Sequence, residues 1–306
     1  MKQIKEAPSI GVGVTAYNAE KYLGECLDSL LAQTYPNVRI VVCEDCSQDN
    51  TQDILRTYTR EHPKRIRAIF NTNNLGIQAN VNQSIRELGQ PNLISLIAGD
   101  DRWRKDKLEL EVRALQASAS ARWAYSQVVA IDSEGVIREK MLRNSNKVVG
   151  HQNIIKNLLG HQLITLNWTA ENSLLEESGK YYSEDLNYIS DWDFNVRLAA
   201  SSNAVFCEDP TVFYRRHSES ITFKGDFKLY LADFKKAYAK HRPLLRKLPS
   251  SFQSEVLQQQ RNMLQSTAQL WLKDSLRKKQ MRKIFLSLVH KLYYKIAPLP
   301  KVETNA

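Results

Sequence analysis

Apolar residues fall into two alternating patterns along the first hundred positions: short continuous runs, and residues recurring at helical spacing. Residues 9–16 (SIGVGVTA) read as a strand. After Tyr17-Asn18, residues Tyr22, Leu23, Cys26, Leu27, Leu30 and Leu31 mark a helix within 19–33 that stops before Pro36. Residues 38–43 form a second apolar run, and Asn50/Thr51 cap a helix to about Arg60. Residues 66–70, 78–88 and 93–98 continue as strand, helix and strand. This alternation predicts an α/β fold: a mostly parallel sheet flanked by helices. In such sheets ligands bind beyond the carboxyl ends of the strands. The polar clusters fall there: Tyr17-Asn18, Glu44-Asp45, Asn73-Asn74-Leu75-Gly76 and Gly99-Asp100-Asp101.

From residue 227 the pattern becomes helical and cationic, with Pro243 and Pro249 expected to break it into pieces. The organisation expected is residues 1–222 as a catalytic domain and 223–306 as a basic helical extension. The last helix, 281–297, carries one apolar stripe among lysines and arginines; it is too short and charged to span a bilayer. It either lies in an anionic membrane interface or packs on protein, the same domain or a second subunit.

The net charge of +10 sits in this tail: residues 224–306 hold 18 Lys+Arg against 5 Asp+Glu, leaving a surplus of 3 acids in the remainder. That split, with no nucleic-acid-binding pattern, argues against nucleic acid and for an anionic lipid surface. At 42% hydrophobic and 25% charged, without a leader-like start or a long apolar run, the chain reads as cytoplasmic, either free or, through its basic tail, at the inner face of the membrane.

The stretch VVCEDCSQDNT (41–51) poses a choice between thiols and carboxylates. Cys43 ends an apolar run and does not open a helix, and no second ligand pair completes a zinc site, so the cysteines read as reduced core residues. The carboxylates carry the chemistry. Asp100-Asp101 either caps the helix over 105–116 or, with Glu44-Asp45 on the neighbouring strand, gathers around a hard divalent cation, which shares oxygen ligands with phosphate.

The ordered series Val14-Thr15-Ala16-Tyr17-Asn18, Glu44-Asp45-x-Ser47-x-Asp49-x-Thr51, Asn74-x-Gly76 with Asn80, Ala98-Gly99-Asp100-Asp101, Ser190-Asp191-Trp192-Asp193 with Arg197, and Tyr214-Arg215-x-His217 resembles the family-2 inverting glycosyltransferases of the A-type nucleotide-diphospho-sugar fold, over residues 8–222. The resemblance implies that Thr15 and Tyr17 line a base pocket and that Asp45, beside Glu44, recognises the base. Gly76 and Asn80 complete the donor side. Asp100 would meet the ribose, Asp101 would bind Mn2+ or Mg2+ directly, and His217 would be a further metal or diphosphate ligand. Asp191 matches the base, although Ser190 stands where the family commonly has Glu. Trp192 either stacks on an acceptor sugar or fills core, and Asp193 is expected to be structural.

The function implied is inverting transfer from a nucleotide-diphosphate donor, UDP foremost, to a saccharide or lipid-linked acceptor in bacterial surface polysaccharide assembly. Gln258-Gln259-Gln260-Arg261-Asn262 is similar to the Gln-x-x-Arg-Trp motif of processive synthases but lacks its Trp, which implies one sugar per encounter. The alternatives are an inactive module binding nucleotide or anionic membrane, a dinucleotide fold on Gly11-x-Gly13-x-x-Ala16, and nucleotidyl transfer. The last two want their glycine-rich loop after the strand, where Tyr17-Asn18 stands.

Overall fold

The computed structural model describes residues 7–140, 148–160, 168–220 and 226–277. The chain order is β1 (Ile10–Ala16), α1 (Leu23–Leu31), β2 (Val38–Glu44), α2 (Thr51–Glu61), β3 (Ile66–Phe70), α3 (Ile77–Glu87), β4 (Leu93–Ala98) and β5 (Arg102–Trp103). There follow α4 (Lys107–Ala117), β6 (Ala121–Ile131), β7 (Ile137–Lys140), β8 (Val148–Val149), α5 (His151–Leu159), β9 (Trp168–Glu171) and α6 (Asn172–Glu177). The described part closes with α7 (Ser190–Ser201), β10 (Asn203–Arg215), α8 (Phe227–Arg246) and α9 (Ser250–Arg277).

One sheet runs through the molecule in the order β3-β2-β1-β4-β9-β6-β10-β5, with β7 on β6 and β8 on β10. Its first four strands are parallel. Ile10, Val12 and Val14 of β1 and Ile40, Val41 and Val42 of β2 are almost wholly buried, the near-continuous apolar run of a strand covered on both faces. Gly13 lets α3 lie close, since a Cβ there would stand 2.7 Å from Ser84 Oγ and 2.8 Å from Leu96 Cδ2. The glycines inside β1 therefore serve packing.

Register decides which residues share an edge. Ala16 pairs with Glu44, and Thr15 with both Cys43 and Ala98, so Tyr17, Asp45 and Gly99 leave the sheet at one level. β9 is antiparallel to both β4 and β6, and β10 is parallel to β6. The ends of β6 and β10, Ile131 and Arg215, therefore reach the same edge. This mixed second half lies beyond the four strands that the hydrophobic pattern predicts.

The C-terminal helices pack on this body. Phe234, Ala237 and Leu245 of α8, Leu248, and Val256 of α9 belong to the same hydrophobic cluster as the sheet. Asp226 caps α8 by accepting from the Lys228 backbone N–H. Pro243 does not break that helix, contrary to expectation: it sits exposed in the last turns while Leu245 and Leu248 are buried, and their burial outweighs the one backbone bond lost. The break falls at Pro249. Gln260, inside the Gln-rich segment, is buried and donates to the Leu159 carbonyl at 2.9 Å, so that segment holds α9 to α5. Among the described residues no helix is long and apolar enough to cross a membrane. The apolar stripe over 281–297 lies outside the described residues.

Candidate active site

Two loops meet where β1 and β2 end. Ser47 Oγ accepts the Asn18 N–H at 2.9 Å, Thr51 Oγ1 accepts the Ala19 N–H at 2.8 Å, and Asp49 accepts the Glu20 N–H at 3.1 Å. The alternate residues of the series Ser47-x-Asp49-x-Thr51 thus clamp the loop that carries Tyr17. Asn18 and Cys46 are left-handed, with φ of 48° and 60°, a backbone strain that the clamp maintains. Tyr17 is exposed at 49% and Thr15 is half-buried, leaving the tyrosine ring open to a ligand.

Asp45 is buried. Its carboxylate accepts from the Leu75 N–H at 2.8 Å, the Gly76 N–H at 3.0 Å and Asn71 Nδ2 at 2.9 Å, so it holds the turn between β3 and α3. Gly76 has φ of +85°, which explains the glycine. Asn80 donates to the Cys43 carbonyl at 3.0 Å and accepts from Asn71, joining α3 to β2. Glu44 accepts the Ser47 N–H through Oε1 at 2.7 Å, while its buried Oε2 has no hydrogen-bond partner among the described residues. All four cysteines are free, and burial pushes the Cys43 thiol up to about 12, which leaves it inert.

At the end of β4 the two adjacent acids point apart. Asp101, expected to be the direct cation ligand, is buried, and its Oδ1 accepts the Arg215 backbone N–H at 2.9 Å. Asp100 is the acid that faces His217, with Oδ2 3.1 Å from Nε2. Arg215, itself buried, fixes this turn. Its Nε donates to the Asp100 carbonyl at 2.9 Å, Nη1 to the Asp132 and Ser133 carbonyls at 3.0 and 3.1 Å, and Nη2 to Glu25 of α1. The guanidinium lies 4.6 Å from the Tyr22 ring centre, and Tyr22 in turn packs on His217 at 4.9 Å. Four segments are thereby held around one pair of side chains.

Gln78, at the start of α3 and two residues past the turn that Asp45 holds, donates to the Asn187 carbonyl at 2.8 Å, which ties the segment leading into α7 to this edge. There Asp191 and Asp193 differ in kind. Asp191 is partly buried, its Oδ1 accepts the Trp192 N–H at 2.7 Å, and among the described residues no cation pairs with it. Burial raises its pKa; the backbone N–H groups of Trp192 and of Asp191 itself lower it by less. Asp193 is fully buried, which alone would raise its pKa. Hydrogen bonds from His241 (2.8 Å), Lys240 (2.8 Å) and Ser183 (2.7 Å), and the charge of Arg197 (3.1 Å), instead hold it well below the usual carboxylate range.

Trp192 requires a correction as a substrate platform. It is 8% exposed, its Nε1 donates to the Leu158 carbonyl at 2.7 Å, and its ring packs on Phe234, Tyr238 and His241. It fills core, because α8 covers the face that a sugar would need. The sequence pattern assigns no role to Glu25, Asn71, Lys240 or His241. Lys240 and His241 lie 47 and 48 residues from Asp193, and no local spacing announces that contact. A cavity of about 230 Å³ bounded by Tyr35, Pro36, Glu109 and Val112 lies where the strands begin, and none of the candidate acids lines it.

Known proteins resemble this chain in sequence or in fold. Residues 11–171 match the family described as glycosyl transferase family 2. Over 114 residues the chain is 31% identical to TuaG of Bacillus subtilis (strain 168), named for a glycosyltransferase of teichuronic acid biosynthesis, covering 37% of this chain and 44% of that protein. Over 132 residues it is 32% identical to chondroitin synthase of Escherichia coli, covering 43% of this chain and 19% of that one. The matched stretch thus spans less than two thirds of either relative. Among solved structures, S. aureus TarS 1–349 in complex with UDP-GlcNAc aligns with a TM-score of 0.60 at 17% identity, over 96% of this chain and 93% of that one. The mannosyltransferase PcManGT from Pyrobaculum calidifontis, in complex with GDP-Man and Mn2+, aligns with a TM-score of 0.53 at 15% identity, over 95% and 88%. At these identities the likeness shows a common fold, a sheet flanked by helices.

Proposed function

The chain belongs to glycosyl transferase family 2, and from that premise we propose that it moves a sugar from a nucleoside diphosphate, UDP foremost, to a hydroxyl of a saccharide or lipid-linked acceptor in bacterial surface polysaccharide assembly. The relatives' names support the polymer setting, and the nucleotide sugars bound by TarS and PcManGT support the donor class. The observation that carries the chemistry is the contrast along α7: Asp193 is saturated by cations, whereas Asp191 has no cation partner among the described residues and a pKa raised by burial.

The chain's own groups account for each step. Tyr17 and the Asp45-held turn bound the base, with Thr15 beneath. Asp191 takes the proton of the acceptor hydroxyl, and its raised pKa makes it a better base than an ordinary carboxylate. The acceptor oxygen bonds to the sugar carbon as the bond from that carbon to the diphosphate oxygen breaks, and the nucleoside diphosphate leaves with that electron pair. A base opposite the leaving group inverts the carbon.

Asp100 and His217 supply one oxygen and one nitrogen donor 3.1 Å apart; among the described residues no third His, Cys, Asp or Glu joins them. That pair of donors would suit Mn2+ or Mg2+, hard ions that share oxygen ligands with phosphate. When bound, the ion neutralises the charge of the departing diphosphate. Asp100 and His217 would hold it, and Asp101 anchors the turn. The basic surplus over 223–306 supports contact with anionic lipid, and the missing Trp of the Gln-rich segment supports one sugar per encounter.

Calorimetry tests the donor side. Mn2+ is expected to tighten UDP binding at least about tenfold, or about 1.4 kcal/mol, and Asp100→Ala to abolish that enhancement while metal-free UDP binding persists. Equal UDP affinity with and without Mn2+ in the unaltered protein would remove the metal from this reading.

A further inference from the structure

The start of α8 bears on Asp191 in a way that packing alone does not explain. The inward residues of α8 are accounted for: Leu231, Phe234 and Ala237 are buried, and Phe234 packs on Trp192 at 6.1 Å. Asp233, also buried, accepts the Tyr188 backbone N–H at 2.8 Å and Asn187 Nδ2 at 3.3 Å, and the Tyr188 hydroxyl accepts the Asp226 N–H at 2.9 Å. The first two turns of α8 therefore grip the segment that ends three residues before Asp191. Tyr188 and Tyr230 stand 6.3 Å apart, inclined at 59°, and both stay half-buried, while the inner side of Tyr230 packs edge-on against Phe234 at 4.6 Å. Two phenol rings, each partly open to solvent, thus form a corner at the entrance to α7.

We propose that Tyr188 and Tyr230 form an acceptor subsite in which a pyranose ring of a saccharide rests on the aromatic corner and offers a hydroxyl to Asp191. This rests on Asp191 being the base. The chemistry selects a sugar: a pyranose has an apolar face of C–H groups for the rings and a hydroxyl edge for the phenols, whereas an acyl chain would waste those polar groups. Burial, with the Asp191 charge adding to it, pushes the Tyr230 phenol up to about 12. That coupling agrees with the two groups being close, and it keeps the phenol neutral, able to donate a hydrogen bond. α8 carries none of Tyr17, Asp45, Asp100 or His217, so acceptor choice would be carried by an element separate from the donor side.

The test uses the full chain with UDP and Mn2+, and saturation-transfer NMR with methyl glycosides of glucose, galactose, mannose and N-acetylglucosamine. The unaltered protein is expected to transfer saturation to the ring protons of at least one of them. Tyr230→Ala is expected to weaken that glycoside roughly tenfold, and Tyr230→Phe by no more than about threefold, with UDP affinity unchanged in both. Tyr230→Leu fills the same space against Phe234 without a flat ring, and shows the same loss should Tyr230→Ala not fold. Unchanged glycoside affinity in Tyr230→Ala or Tyr230→Leu overturns the subsite, as does UDP binding by the unaltered protein with no glycoside taken up. Failure to bind UDP at all would instead strike the donor reading.

Discussion

Asp191→Asn is expected to lower sugar transfer by roughly 10³-fold, inside the range general-base removal spans, while UDP binding stays within about twofold and the protein becomes more stable. Asparagine keeps the shape and can still accept the Trp192 N–H, yet it cannot take a proton from an acceptor hydroxyl. The stability sign follows from burial. A carboxyl whose pKa is raised in the folded state binds its proton more tightly there than in the unfolded chain. Its ionised form therefore opposes folding as pH rises above the unfolded value of about 4, in full once pH exceeds the folded pKa. Removing that charge is expected to stabilise the protein by about 0.5–2 kcal/mol at neutral pH, and by nothing where both forms are protonated. Thermal melts on either side of the unfolded aspartate value, at about pH 3.5 and about pH 7.5, together with a transfer assay check both halves. A variant that keeps full transfer would pass the base role to another group.

Asp193→Ala is expected to do the opposite: destabilise by about 3–5 kcal/mol, the scale for removing one partner of a buried ionic cluster. Asp193 neutralises the mostly buried Arg197 and the half-exposed Lys240 and bonds to the buried His241 ring, and its loss leaves those groups facing each other. Lys240, being half-exposed, adds little to that figure. Since hydrogen bonds and cations hold the Asp193 pKa down, its contribution is complete above the unfolded value of about 4 and is lost as pH falls through its lower folded value. Urea denaturation at neutral pH measures the shift in midpoint. A midpoint equal to that of the unaltered protein would show that the cluster contributes nothing net.

The opposite fates of two acids two residues apart show where reading the chain succeeds and where it stops. Residues 66–70 and 93–98 come out of the hydrophobic pattern with the boundaries the structure has: 93–98 is a mostly buried run, and 66–70, the edge strand, keeps apolar residues on either side of one exposed arginine, both bounded by polar turns. Strand register then carries Tyr17, Asp45 and Asp100 to one edge. What the pattern lacks is direction at single positions. Asp100 and Asp101 are adjacent on a turn, and only the arrival of Arg215, over a hundred residues later, turns Asp101 inward and leaves Asp100 to His217. Residues i and i+2 of a helix face different ways, so one of Asp191 and Asp193 had to meet α8; nothing local says which. Trp192 is ambiguous in the sequence for the same reason, since an aromatic residue fits a sugar and a helix equally well until α8 is seen to cover it.

Acids from distant parts of the chain are proposed to share one rim around a nucleotide sugar, and every step above depends on it. A crystal structure of the protein with UDP and Mn2+ tests this most directly. The expected density has the base between Tyr17 and the Asp45-held turn, the metal and diphosphate against Asp100 and His217, and the Asp191 carboxylate facing the open side of the diphosphate. UDP bound away from that edge, or Asp191 turned from it, would contradict the claim.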